Sequence, residues 1–254
     1  MALVTGGTRG LGRALVQDLL AAGWDVVACG RKEPEPISHG RAQASFIPCD
    51  VRQADQVEAL MKEVESRHGR LDLLINNAGG SPVVSAAEAS PRFSESIIGL
   101  NLLGPLHMAR AAHGLMIRQD EGGAIINIAS ISGLRPSPGT AAYGAAKAGL
   151  LSLTQALAME WGPRIRVNAI IVGLLATESA VIDHYGGEDG LMKIADSLPM
   201  KRLAEAKDIA AVIGFLTSPQ AAYISGAQIA VHGGGEKPNY LSLIAGSSVN
   251  TQEK

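Results

Sequence analysis

The chain of 254 residues has only two cysteines, Cys29 and Cys49, and each closes a short apolar run. That placement reads as buried reduced thiols rather than a disulfide or a metal site. Its six histidines show no HxxxH-type ligand spacing, so no metal is expected. Long hydrophobic runs are also missing: nothing reaches the eighteen or so apolar residues of a membrane span. The opening MALVTGGTRG lacks the basic start and long apolar core of a signal peptide. A soluble cytoplasmic protein is the expectation, without a membrane partner. Charge excess is absent too, with a net charge of -2, which argues against a nucleic-acid or anionic-lipid surface. Partners are then small molecules or further copies of the chain.

What is present is an alternation. Short apolar runs (ALVTG, DVVAC, ASFIPC, LDLLINN, AIINIAS, RVNAIIV and AQIAV) are separated mostly by segments of helical period. This is the pattern of an α/β fold, a parallel sheet with crossover helices on both faces. One helix is expected from about Leu11 to Ala22, stopping at Gly23, and another from about Ala54 to His68, stopping at Gly69. Between DVVAC and ASFIPC, Pro34 and Pro36 oppose a helix, so a loop or single turn is expected. Residues 1–235 read as one domain, and 236–254 as a docked or frayed tail.

Directly after the first run comes TGGTRGLG, residues 5–12. Glycines at 6, 10 and 12 permit a tight turn and a close backbone approach. The following helix adds unpaired N–H groups and the positive end of its dipole, so a pyrophosphate is the natural occupant of Gly6, Thr8, Arg9, Gly10, Leu11 and Gly12. At the end of the second run, where a carboxylate would meet the adenosine ribose, stands Gly30, followed by Arg31 and Lys32. Arg31 can pair with a 2′-phosphate, and Arg9 can approach it, which favours NADP(H). Solvated loop charges are the alternative reading, and NAD(H) stays open.

The segment from Thr140 to Glu160 is rich in Ala and Leu and reads as a helix. Tyr143 and Lys147, four residues apart, then share one face. Using a phenol of pKa about 10 as a base near neutrality takes about 4 kcal/mol of phenolate stabilisation, which one cation at about 4 Å supplies. Ser130 closes AIINIAS at the carboxyl end of an expected strand, where open α/β sheets bind ligands, and can bond a substrate oxygen. Asn101, in GLNLLG, is costly inside an apolar helix unless its amide is paired.

The glycine spacing, Asp50-Val51, NNAG at 76–79, Asn101, Ser130 and YxxxK at 143–147 occur in an order that resembles the short-chain dehydrogenase/reductase family over residues 2–235. That resemblance implies a Rossmann-type, doubly wound, mainly parallel seven-stranded sheet in a three-layer α/β/α sandwich. It also implies an oxidoreductase interconverting a carbonyl and a secondary alcohol, with Asn101, Ser130, Tyr143 and Lys147 as the catalytic set. Asp50 and Val51 would contact the adenine, and Asn77, Ala78 and Gly79 would line the cofactor cleft. Lys147 would hold the nicotinamide ribose, and Asn101 a water linking Lys147 to solvent; a bond from Asn101 to a nearby backbone carbonyl is the alternative. The three-residue gap in YxxxK resembles the carbonyl reductases and alcohol dehydrogenases, whereas enoyl reductases carry a longer one. A homotetramer or homodimer is implied, built through the helix at 140–161, the Asn101 helix and SGAQIAVHGGG.

The pattern departs in one place. Val172-Gly173 stands where the family has Pro-Gly, which loosens the carry-over of carboxamide contacts to Leu175 and Thr177. Residues 174–199 form a long stretch suited to covering a substrate, with Ile182, His184, Tyr185, Leu191 and Met192 as candidate lid residues and Gly186-Gly187 as hinge. Their mixture suits a medium-sized, partly apolar substrate. A dinucleotide sensor without catalysis is the alternative function, although it would be expected to lack Ser130, Tyr143 or Lys147.

Overall fold

A computed structural model describes residues 1–176 and 187–238. Seven strands form one sheet in the order β5-β2-β1-β6-β7-β8-β9, and every neighbouring pair is parallel. They are β1 (Ala2–Thr5), β2 (Val26–Gly30), β5 (Ser45–Pro48), β6 (Leu73–Asn76), β7 (Gly123–Ser130), β8 (Ile165–Val172) and β9 (Gln228–Val231). Each coincides with one of the seven apolar runs. Side chains along a strand alternate between faces, and both faces here are covered. Leu3, Leu74 and Ile125 pack against α2 (Ala54–His68) and α4 (Gly104–Met116). Val4, Ile75 and Ile126 pack against α1 (Gly10–Ala21) and the helix Ala206–Leu216. The result is the three-layer, doubly wound arrangement.

Helix ends follow from glycines. α2 spans Ala54–His68 as expected and stops on Gly69, whose φ of 68° is left-handed. α1 begins one residue before the expected Leu11 and ends at Ala21, one before the expected Ala22. Between β2 and β5 there is no helix, in accord with the two prolines. The expected loop instead holds a small antiparallel ladder, β3 (Ser38–His39) with β4 (Ala42–Gln43), turning at Gly40. Ile37 anchors it by burying in the core beside α1, and Arg13 of α1 donates to the carbonyls of Glu35 and Pro36.

A longer helical run joins β6 to β7. It comprises α3 (Pro91–Ile98), a π-helical turn at Gly99–Leu103 and α4, without a break. Ser90 caps its start by accepting from the Phe93 N–H. After β7 come α5 (Ala141–Trp161), α6 (Gly187–Ser197) and α7 (Ala206–Leu216). In open parallel sheets a ligand crevice forms at the carboxyl ends of strands where the order reverses. Here that point lies between β1 and β6, and it brings the 5–12 loop beside the 76–80 loop.

Candidate active site

The turn after β1 admits glycine and little else. Gly6 has a φ of 61°, and a Cβ on Gly12 would sit 2.2 Å from the Gly6 carbonyl oxygen and 2.5 Å from Asn77 Nδ2. The first turn of α1 is thereby pressed onto both loops. Its N-cap, Arg9, makes no side-chain capping bond, and no acidic residue lies in the first turn. The leading N–H groups are thus left without a side-chain partner, as an anion site requires. Thr5, fully buried, ties the two loops: its Oγ1 accepts from Asn77 N and Ala78 N at 3.0 Å each, while Asn77 Nδ2 donates to Thr5 O at 2.9 Å. These residues fit a dinucleotide pyrophosphate: the uncapped N–H groups open α1, and Gly10, with a φ of 51°, faces open space in front of them.

Toward the sheet edge, Gly30 ends β2 against Thr8, whose Cγ2 would lie 3.0 Å from a Cβ at position 30. Arg31, exposed, is close enough to Asp50 to help hold that carboxyl below its ordinary range, although the larger cause is the hydrogen bond from Arg52. Arg9 is also exposed at this end. Val51 is buried, and its Cγ2 would lie 2.8 Å from a Cβ on Gly104 of α4. Cys29 and Cys49 are buried, free thiols, as expected.

Asn101 lies in the middle of the π-helical turn and is completely buried. Nδ2 donates to Gly80 O at 3.0 Å and to Ile97 O at 2.9 Å, while Oδ1 accepts from Gly80 N at 2.9 Å. The carboxamide thus pairs with both polar groups of Gly80, whose φ of 129° is open to glycine. The bond to a backbone carbonyl, the alternative for Asn101, is present, and its amide nitrogen spends both hydrogens on such carbonyls. Asn101 Oδ1 and Lys147 Nζ both approach the back of Gly79, at 2.8 and 3.3 Å from where its Cβ would be.

Ser130 ends β7 and caps a short turn, accepting from Ser132 N at 3.2 Å. That bond fills a lone pair and leaves the hydroxyl proton free to donate. Tyr143 lies beside it: Ser130 pulls the phenol pKa down, while burial, the larger cause, pushes it up. Lys147 is buried one helical turn on, with Nζ 5.7 Å from the Tyr143 ring centroid. Nζ donates to Ile128 O at 2.7 Å, and burial lowers its pKa to about 8. Tyr143 and Lys147 share a face as expected, and the ammonium sits beneath the ring, bonded to a carbonyl. Burial outweighs the pull of Ser130 and raises the phenol pKa.

Gly173 keeps the turn after β8 despite Val172. Its N–H donates to Val231 O at 3.0 Å, and a Cβ there would sit 2.7 Å from the His232 Cα. Leu175 bridges to Ala204. Thr177, Ile182, His184, Tyr185 and Gly186 lie outside the described residues. Leu191 and Met192 lie on α6, Leu191 half-buried and Met192 exposed. Sequence reasoning does not single out Gly80, Ser132 or Arg52. The doubled glycine of AGGS is the signal for Gly80; Ser132 and Arg52 bear no mark apart from adjacency to Ser130 and Asp50.

Residues 6–236 match the family model described as Enoyl-(Acyl carrier protein) reductase. A Bacillus subtilis protein named "Probable 2,4-dienoyl-CoA reductase" is 33% identical over 240 residues, covering 91% of this chain and 94% of that one. The 3-oxoacyl-[acyl-carrier-protein] reductase FabG of Staphylococcus epidermidis is 34% identical over 241 residues, 92% and 97% of the two chains. Among solved structures, a short chain dehydrogenase from Bacillus anthracis superposes with a TM-score of 0.83 at 30% identity over 94% of this chain and 97% of that one. The ligand-free aldohexose dehydrogenase of Thermoplasma acidophilum gives 0.84 at 27% identity, over 92% of each. A glycine cradle that suits a dinucleotide, a Ser-Tyr-Lys cluster at the sheet's carboxyl edge and similarity along nearly the whole chain converge: the protein belongs to the short-chain dehydrogenase/reductase family, oxidoreductases that use a nicotinamide dinucleotide on carbonyl and CH–OH groups of small molecules.

Proposed function

We propose that the protein is an NADP(H)-dependent reductase of ketones or 3-oxoacyl-type carbonyls, acting through one domain, with Tyr143 as general acid. The observation that carries this reading is Lys147 buried on the helix face of Tyr143, its Nζ 5.7 Å from the ring centroid, with Ser130 close enough to pull the phenol pKa down. Bound at the glycine cradle, the cofactor supplies the hydride. Ser130 hydrogen-bonds the carbonyl oxygen through its hydroxyl, keeping its proton, and stabilises the charge that develops there. Tyr143, neutral, delivers its proton to the same oxygen, and Lys147 steadies the phenolate left behind. Asn101 keeps Gly79 and Gly80 in place against Lys147. In the reverse direction the same groups take the proton back.

Arg31 and Arg9, without a carboxylate at Gly30, support NADP(H) over NAD(H), and Thr177 and Leu175 would meet the carboxamide end. Exposed Val83, Leu134 and Met192 suit a partly apolar substrate. Further copies of the chain are the proposed macromolecular partner. Leu103 and Met159 are exposed near the α4 and α5 faces, Ala145 and Ala148 lie outward on α5, and Phe215 and Tyr223 are exposed on the β9 side. Two such faces suit a homodimer or homotetramer. Among the described residues no helix is long and apolar enough to cross a membrane; a cytoplasmic location is part of the proposal.

A second reading has its own support: the family model's description and the B. subtilis relative's name both concern enoyl-type substrates. Hydride would then go to a conjugated carbon–carbon double bond. The test is NADPH and NADH oxidation with ketones, 3-oxoacyl thioesters and 2,4-dienoyl thioesters, alongside Tyr143→Phe. Carbonyl turnover that falls at least about a hundredfold in Tyr143→Phe, with cofactor still bound, is the expected result. Turnover confined to the dienoyl substrates would transfer the assignment to the second reading, and undiminished carbonyl turnover in Tyr143→Phe would remove the tyrosine from its role.

A further inference from the structure

We propose that Arg52 is a positioning residue that seats the adenine end of the cofactor, an inference that rests on the cofactor reading above. Arg52 follows Asp50-Val51 in the loop from β5 to α2. Its Nε donates to both Asp50 oxygens, at 2.9 and 3.2 Å, Nη2 donates to Oδ2, and its main-chain N–H donates to Oδ1 at 3.1 Å. Nη1 reaches the other way, to Ser96 Oγ on α3 at 2.9 Å. One planar guanidinium therefore spans two elements. Its inner edge grips the carboxylate, and its outer nitrogen clips the loop to α3.

The hydrogen count leaves room for a ligand. A carboxylate offers about four lone-pair directions. Three N–H hydrogens of Arg52 reach Asp50, with the Nε–H shared between the two oxygens. Three hydrogens meet four directions, so an outside N–H donor can take the longer half of the shared Nε–H contact, on Oδ2 at 3.2 Å, and an exocyclic purine amine is such a donor. Arg52 also holds the Asp50 carboxyl below its ordinary range, so it is ionised at neutral pH yet matched in charge. Unmatched, it would oppose a phosphate-bearing ligand at this corner.

The rest of the loop is fixed independently of Arg52. Asp50 N–H donates to Gln56 Oε1 at 2.8 Å, and Val51 packs against Gly104, with its carbonyl 3.4 Å from His107 Nδ1. Removing the Arg52 side chain therefore leaves the Asp50 carboxylate held by the position-52 main-chain N–H alone and breaks the link to α3, while the backbone keeps its other ties. A lysine restores the charge but not the span, since an ammonium is a single point and the fork is lost.

The test uses the full chain and adenosine 2′,5′-bisphosphate as probe, by titration calorimetry, with the parent, Arg52→Ala, Arg52→Lys and Ser96→Ala. Arg52→Ala is expected to weaken the probe by about tenfold or more, Arg52→Lys to recover part of that, and Ser96→Ala to lose about threefold. In steady-state assays the Arg52→Ala loss should fall mainly on KM for NADPH rather than on kcat, a split that general loosening of the fold would not produce. If Arg52→Ala does not fold, Arg52→Lys and Ser96→Ala decide by the same measurements. Parent-like binding of the probe by the Arg52 variants overturns the proposal, as does a loss confined to kcat. A parent chain that ignores the probe overturns the cofactor reading itself, and this inference with it.

Discussion

Lys147 should make the cofactor-free protein more stable as the pH rises. Its ammonium is buried, and burial brings its pKa to about 8 from an ordinary 10.5. Below pH 8 the group is protonated in both folded and unfolded chains, and the cost of burying the charge is borne in full. Between 8 and 10.5 the folded chain gives up its proton first, so the unfolded chain binds more protons and stability climbs with pH. At about 1.36 kcal/mol per pH unit, the whole window is worth about 3 kcal/mol, and about 2.5 kcal/mol of it is realised by pH 10. Other groups titrate there too, so the measurement is a difference between the parent and Lys147→Met, by urea unfolding at intervals from pH 7 to 10. The variant also loses the bond to Ile128 O, but that adds a constant and leaves the slope alone. The parent should gain on the variant across the window. Parallel curves would show that the folded chain holds this lysine with an ordinary affinity for its proton, and the electrostatic account of the site would fail.

The remaining outcomes concern the loops around it. Gly12→Ala forces a Cβ to within 2.2 Å of the Gly6 carbonyl; it should abolish NADPH binding in calorimetry and lower the melting temperature, and an unaltered affinity would contradict the cradle geometry. Asn101→Leu strips Gly80 of both polar partners, at about 1–3 kcal/mol for each group left unpaired, and should appear as lost stability in denaturant together with weaker cofactor binding. Arg31→Ala should reduce kcat/KM with NADPH about tenfold or more relative to NADH, and an unchanged ratio would mean that Arg31 is only a solvated loop charge.

How far the sequence foretold this can be argued residue by residue. The seven strands were legible because burial on both faces makes each an apolar run, and α2 was legible at both ends because Gly69 adopts a conformation other residues avoid. Gly6, Gly12 and the Tyr143–Lys147 face could be read from spacing, since a turn and a helix fix local geometry. The π-helical turn could not be read: a helix with one added residue has nearly the composition of a regular helix. Nor could the direction of the Tyr143 shift, because two side chains four residues apart reveal their separation and not how deeply the fold desolvates them. Arg52 bonds to its neighbour Asp50 and to Ser96 on another element, and the second contact exists only after α3 has docked.

The widened turn around Asn101 takes up one residue more than a regular turn, and the helix beyond it still faces the core. Each helical residue advances the face by about 100°, so an inserted or deleted residue that the turn did not absorb would swing Met108, Ala109, Ala112, Leu115 and Met116 out of the interior they fill. Excising one residue so that the turn closes to a regular one should spare that packing and cost the protein the pairing of Asn101 with Gly80.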